Sequence, residues 1–278
     1  MGDTAGSASL SHRPAAALRP YVRRITGYRM PVVDLVHHGL PSPELTFLIA
    51  LDGPLTVGWT PDLAAAQPFW SMVSGMHSAP AYVFPSSGRV GIQLDLTPAG
   101  ARALLGLPAG ALSATTVDLA EIAGRVGADL AEQVRAAPDW PGRFARLEES
   151  LLAMVEPERE IRAELGWAWR RLVAGGDRRV DRLADEIGWS RGYFARLFAG
   201  EFGLRPKETA RVVRFDRARR ALAAATVDGA AGAGGPSIAD IAAEHGYADQ
   251  AHLSREWRQL ADCTPGEWQQ EMLAFVQS

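Results

Sequence analysis

The last hundred residues of this 278-residue chain contain one pattern twice, and that repeat limits the possible folds more than any other feature. Val180, Leu183, Ala184 and Ile187 recur at helical spacing and lead into Gly188-Trp189-Ser190, after which Phe194, Leu197 and Phe198 form a second stripe. Downstream, Ile238, Ile241 and Ala242 lead into Gly246-Tyr247, and Leu253 and Trp257 follow. Aligning Gly188 with Gly246 gives an offset of 58, whereas Arg196 with Arg255 and Pro206 with Pro265 give 59. The second copy therefore carries one extra residue in or just after its turn.

A glycine directly after an amphipathic helix can take the left-handed conformation that ends the helix cheaply. Ser190 then suits the N-cap of the next helix. Two short helices joined in this way hold the second out from the body, within reach of a major groove. A single helix–glycine–helix corner occurs in many all-α proteins. Two copies, each ending in arginine–x–aromatic and then proline, are a specific signal.

The stretches VDRLADEIGWSRGYFARLFAGEFGLRPKETARVVRFDRARRAL and PSIADIAAEHGYADQAHLSREWRQLADCTPGEW resemble the DNA-binding domain of the AraC/XylS family of bacterial transcriptional regulators. The resemblance covers roughly the last 100 residues. It implies about seven helices, with two helix-turn-helix subdomains joined by a long linker helix. The expected organisation is an α+β chain of two domains. A β-rich sandwich or barrel with flanking helices occupies 1–158, for effector sensing or dimerisation, and an all-α DNA-binding domain occupies 159–278. Within the latter, a first helix spans 160–174, the helix-turn-helix units fall at 180–199 and 238–258, and the linker helix spans 206–225. Thr209 and Trp268 stand where the family often has tyrosine, and Asp262 replaces the usual glycine before the second proline.

The overall net charge of -3 conceals a strong asymmetry. Residues 170–225 hold fourteen Arg/Lys against seven Asp/Glu, a net of +7, while residues 226–278 hold two against eight, a net of -6. Phosphate attraction is therefore expected mainly from the first subdomain and the linker helix. Arg211, Arg214, Arg217, Arg219 and Arg220 cannot share one helical face, so some meet phosphate and others are solvated or ion-paired. Arg211 and Arg214 join the candidate contacts.

By family analogy the first recognition helix presents Ser190, Arg191, Gly192, Tyr193, Ala195 and Arg196. Ala195 suits a thymine methyl, and Arg196 is the best reader of guanine. The second presents Asp249, Gln250, Ala251, His252, Ser254 and Arg255. Gln250 suits adenine, and Arg255 suits guanine or phosphate. His252 reads either as a contact or as a packed histidine. Arg196→Ala is expected to abolish operator binding and Arg255→Ala to weaken it.

Residues 21–98 read as β, from short apolar runs broken by Asp52-Gly53-Pro54, Pro61-Asp62 and Ser86-Ser87-Gly88. Val90, Ile92, Leu94 and Leu96 alternate with Gly91, Gln93 and Asp95, the pattern of a half-buried strand. Helices are expected at 98–105, 118–136 and 140–155, and 226–236 reads as an Ala/Gly loop. Trp59, Trp70, Tyr82 and Phe84, with Phe69, line a ligand cavity or form ordinary core. His37-His38 on one strand point to opposite faces, so a metal site is not expected, nor is any cofactor.

Catalysis is disfavoured, because no phosphate-cradling Gly-rich loop, nucleophile elbow or HExxH helix is present and the one cysteine, Cys263, lies inside the second repeat. That single cysteine, an N-terminus without a signal-like apolar core, and no run of membrane-spanning length fit a cytoplasmic protein with no membrane partner. The partners implied by the resemblance are a double-stranded DNA operator and RNA polymerase, with a small-molecule effector, a homodimer partner, or both.

Overall fold

The computed structural model describes residues 8–29, 36–85, 90–175, 180–230 and 235–277. The Ser86-Ser87-Gly88 turn lies outside them. Among the described residues the N-terminal part forms two antiparallel sheets. One joins β1 (Ala8–His12), β2 (Val22–Arg29), β4 (Leu45–Ala50), β7 (Ser71–Ser74), β9 (Val90–Leu96) and β10 (Thr116–Asp118), in the order β1-β2-β9-β4-β7-β10. The other joins β3 (His37–Gly39), β5 (Leu55–Gly58), β6 (Gln67–Phe69) and β8 (Ala81–Phe84), in the order β3-β8-β5-β6.

The larger sheet is covered on both faces. Phe47 and Ile49 of β4 pack in the cluster that includes the helical residues Leu104 and Leu147, while Leu48 and Ala50 join Leu55, Val57 and Phe69 of the smaller sheet. The half-buried pattern expected for residues 90–96 is therefore a misreading. Asp95 is buried, 2.7 Å from the Arg24 guanidinium, and accepts a 3.2 Å bond from the Gln93 amide. Asp95 is thus a buried carboxylate satisfied by a half-exposed arginine and by Gln93, so alternate positions of β9 do not mark a solvent face.

Helices α1 (Pro98–Leu105), α2 (Leu119–Ala136) and α3 (Trp140–Met154) cover the outer face of that sheet. Each has a side-chain cap: Thr97, Asp118 and Asp139 accept from backbone N–H groups of the first turn. Gly124 interrupts α2, where one continuous helix was expected. The helical C-terminal part then comprises α4 (Ala163–Ala174), α5 (Val180–Glu186), α6 (Arg191–Phe202), α7 (Pro206–Ala230), α8 (Ile238–Glu244), α9 (Gln250–Ala261) and α10 (Pro265–Gln277). Helix α7 runs five residues past the expected end at 225, to Ala230, and the Thr226 hydroxyl is satisfied inside it by donating to the Leu222 carbonyl at 2.7 Å. The loop expected at 226–236 therefore begins later; of that stretch, 231–234 lie outside the described residues.

The β-rich part touches the helical part at several points. Arg102 of α1 donates twice to Glu201 of α6, at 2.6 and 2.5 Å, and the Ser113 hydroxyl donates to the Gly203 carbonyl at 2.8 Å. Glu44 at the start of β4 lies between Arg23 (2.7 Å) and Arg220 of α7 (3.2 Å). The Tyr82 hydroxyl donates to Asp262 at 3.0 Å.

His37 on β3 gives a pH dependence. Burial, followed by the adjacent His38, pushes its pKa down to about 4. The unfolded chain therefore takes up this proton at higher pH than the folded chain. The contribution of His37 to stability is complete above pH ~6.5 and is lost as pH falls from there toward the folded pKa. Urea midpoints compared near pH 7 and near pH 5 should show the decline, and His37→Phe should flatten it; an equal decline in the variant rules out this histidine as the cause.

Candidate nucleic-acid interface

The two repeats close with the same hydrogen bonds. After α5, Gly188 sits at φ 72° and the Trp189 N–H donates to the Ala184 carbonyl at 2.9 Å; after α8, Gly246 sits at φ 79° and the Tyr247 N–H donates to the Ala242 carbonyl, also at 2.9 Å. A residue with a Cβ would be strained at either position, which is why both copies carry glycine there. The next helix is then capped from a side chain, Ser190 accepting from the Tyr193 N–H and Asp249 from the His252 N–H. Ala248, between Tyr247 and the Asp249 cap, is the extra residue of the second copy.

The correspondence continues to the end of each unit. Phe198 and Trp257 are fully buried, and Gly203 and Asp262 both end their helices in the left-handed conformation, at φ 87° and 57°. Asp262 tolerates this because aspartate visits that region more readily than most residues, and its carboxylate gains the Tyr82 hydroxyl. Then the Arg205 N–H donates to Glu208 and the Thr264 N–H donates to Glu267, so each proline-led helix opens on a carboxylate.

On α6, Arg191, Gly192, Tyr193 and Arg196 are exposed and Ala195 is half-buried. The Arg196 guanidinium stands 5.5 Å from the Tyr193 ring, and that ring meets Trp189 edge-on at 5.1 Å. On α9, Gln250, Ala251 and Arg255 are exposed and Ser254 is half-buried, with the capping Asp249 exposed beside them. His252 is engaged: its ring packs edge-on against Tyr247 at 5.3 Å, and its Nδ1 accepts from the Ala248 N–H at 3.2 Å. The packed alternative for this histidine has the geometry behind it.

The linker-helix arginines turn inward. Arg211 and Arg214 both reach Glu256 of α9, at 3.3 and 2.5 Å, and Arg211 also donates to Gln259. Arg214 lies 4.6 Å from the Tyr247 ring, whose hydroxyl donates to the same glutamate at 2.8 Å. Arg217 donates to the Val173 carbonyl, Arg219 to Asp216, and Arg220 to Asp216 and Glu44. Much of the positive charge counted on α7 is thus matched within the molecule, and Arg211 and Arg214 brace α7 against α9. Sequence reasoning missed Glu256, which has no local signal, since its partners lie 42 and 45 residues away. It also passed over two exposed cations of these units, Arg182 on α5 and Arg258 on α9.

The aromatic set of the β-rich part is dispersed. Phe69, Tyr82 and Phe84 are buried, and Trp59 meets His77 edge-on at 5.0 Å. Trp70 is 46% exposed under the Arg135 guanidinium, so it is not a wall of an interior cavity. Burial and the nearby Glu271 push the Cys263 thiol up to about 12, which keeps it protonated and a poor nucleophile. Among the described residues no group of three or more His, Cys, Asp and Glu could hold a metal ion, and no helix is long and apolar enough to cross a membrane.

Residues 183–271 match the family model described as a helix-turn-helix domain. No curated protein matches the chain. Among solved structures the chain resembles ToxT from Vibrio cholerae O395, with 14% identity, coverage of 90% of this chain and 97% of that one, and a TM-score of 0.50. A variant of apo ToxT from Vibrio cholerae strain SCE256 gives 11% identity, 90% and 97% coverage and a TM-score of 0.51. ToxT from Vibrio cholerae O395 bound to (E)-4-(8-methylnaphthalen-1-yl)but-3-enoic acid gives 13%, 89% and 98%, and 0.50. At these identities the likeness is one of fold: a β-rich N-terminal part of two sheets and a helical C-terminal part with helix-turn-helix units.

Proposed function

Because residues 183–271 are a helix-turn-helix domain of the AraC type, we propose that this protein is a sequence-specific DNA-binding regulator of transcription. One observation carries the reading: two units with the same turn geometry and capping each present an exposed helix face of base-reading type, Arg196 with Tyr193 and Arg255 with Gln250. Each face enters a major groove, the two about one turn (~34 Å) apart. The first unit supplies most of the affinity, since its reading helix exposes both Arg191 and Arg196, whereas the second exposes Arg255 beside the acidic Asp249.

In this reading the N-terminal part modulates DNA binding. The carboxylic acid held by the ToxT relative supports a small organic effector here. Val126 on α2 and Leu152 on α3, apolar and exposed, support a homodimer contact. RNA polymerase is the downstream partner, and no catalytic step belongs to the scheme.

Selection of bound duplexes from a randomised library by the purified full chain tests the central claim. The expected outcome is an enriched site with two conserved elements about one helical turn apart, bound less tightly as salt rises. Binding without any sequence enrichment would refute it.

A further inference from the structure

A cleft of about 440 Å³ opens between α4, α7 and the end of α8, within the helical part and apart from the recognition faces. One wall is a row of cations on α7: Lys207, Arg211, Arg214 and Arg217, spaced so that they share one helix face. Glu244 and His245, at the turn of the second helix-turn-helix unit, form the opposite wall.

Three features mark this as a built site. The guanidiniums are held in place: Arg211 and Arg214 share Glu256, and Arg217 donates to the Val173 carbonyl while lying so close over Gly175 that a Cβ there would fall 1.8 Å from its Nη1. Each guanidinium has five N–H groups, of which Glu256, Gln259 and the Val173 carbonyl take two from Arg211, two from Arg214 and one from Arg217. Finally, His245 and Gly246 complete the lining from the turn of the second unit, so the cleft spans both subdomains.

We propose that this cleft binds a phosphate-bearing metabolite of about nucleotide size. The volume falls within the usual range for small-molecule sites. Fixed guanidinium forks match phosphate oxygens in geometry and charge, and the four cations of the row outnumber Glu244 in the lining and Glu256 behind it. Bound there, the ligand joins α4 and α7 to the α8–α9 turn and fixes how the second reading unit sits against the first. The inference does not rest on the DNA-binding reading, and its test needs no DNA.

Calorimetric titration of the full chain with inorganic pyrophosphate and with ADP, at constant ionic strength, provides that test. Saturable binding and a raised melting midpoint are expected for at least one probe. Lys207→Ala and Arg217→Ala should each weaken it about tenfold or more, with Lys207 on an exposed position where folding is spared. No binding of either probe overturns the proposal, as does unchanged affinity in variants that melt normally. An equal midpoint shift from sodium sulfate reduces the effect to general screening and also overturns it. If neither probe binds but the same variants lose affinity for duplex DNA, the cleft holds backbone phosphate and the metabolite assignment is wrong.

Discussion

Glu256→Ala is expected to destabilise the protein by about 3–5 kcal/mol, a loss large enough to threaten folding of the second helix-turn-helix unit. The glutamate side chain is 8% exposed and receives Arg211, Arg214 and the Tyr247 hydroxyl. Its removal leaves half-buried guanidiniums and a buried phenol without their acceptor, which costs far more than the pair contributes net. Tyr247 is sensitive to this, since burial and then the glutamate already raise its pKa well above the usual phenol range. Glu256→Gln should recover part of the loss, because an amide oxygen still accepts from Tyr247. Glu149→Ala, which removes an exposed partner of Arg146, should change stability by no more than about 1 kcal/mol. Urea denaturation compares the three, and hydrogen exchange across 238–272 localises the effect. A Glu256→Ala midpoint no lower than that of Glu149→Ala would contradict this account of the contact.

Arg196→Ala should abolish site-specific DNA binding, whereas Arg255→Ala should only weaken it. Arg196 is exposed, stands near the Tyr193 ring, and projects from the half of the domain with a net charge of +7. A bidentate arginine–guanine contact discriminates by about 1–3 kcal/mol, and losing the cation also removes phosphate attraction. Arg255 lies in the half with a net charge of -6, so its unit docks with less electrostatic support. Titrations of the selected duplex at one fixed salt concentration should rank the two losses clearly. Equal losses would refute the ranking.

What the sequence revealed best is what local backbone chemistry dictates. Gly188 and Gly246, the Ser190 cap and the prolines at 206 and 265 each report on a few neighbouring residues, and all stand where the repeat puts them. The helices at 98–105 and 140–154 follow from the same signals. Long-range pairing was hidden. Nothing near Arg211 or Arg214 announces Glu256, so two cations read as phosphate contacts prove to have an internal acid. Nor does alternation along β9 reveal that Asp95 is buried against Arg24. Trp70 resembled its aromatic neighbours in composition, and only the fold shows it turned outward.

Helix α7 contributes Val212 to the core shared with the β-rich part and, three residues later, Phe215 to the core of the second unit. No flexible joint separates these two residues, so the angular phase between the two halves is set by helical winding itself. One residue inserted between them would turn everything downstream by about 100° and advance it ~1.5 Å. The rod therefore admits only changes in length that restore its winding.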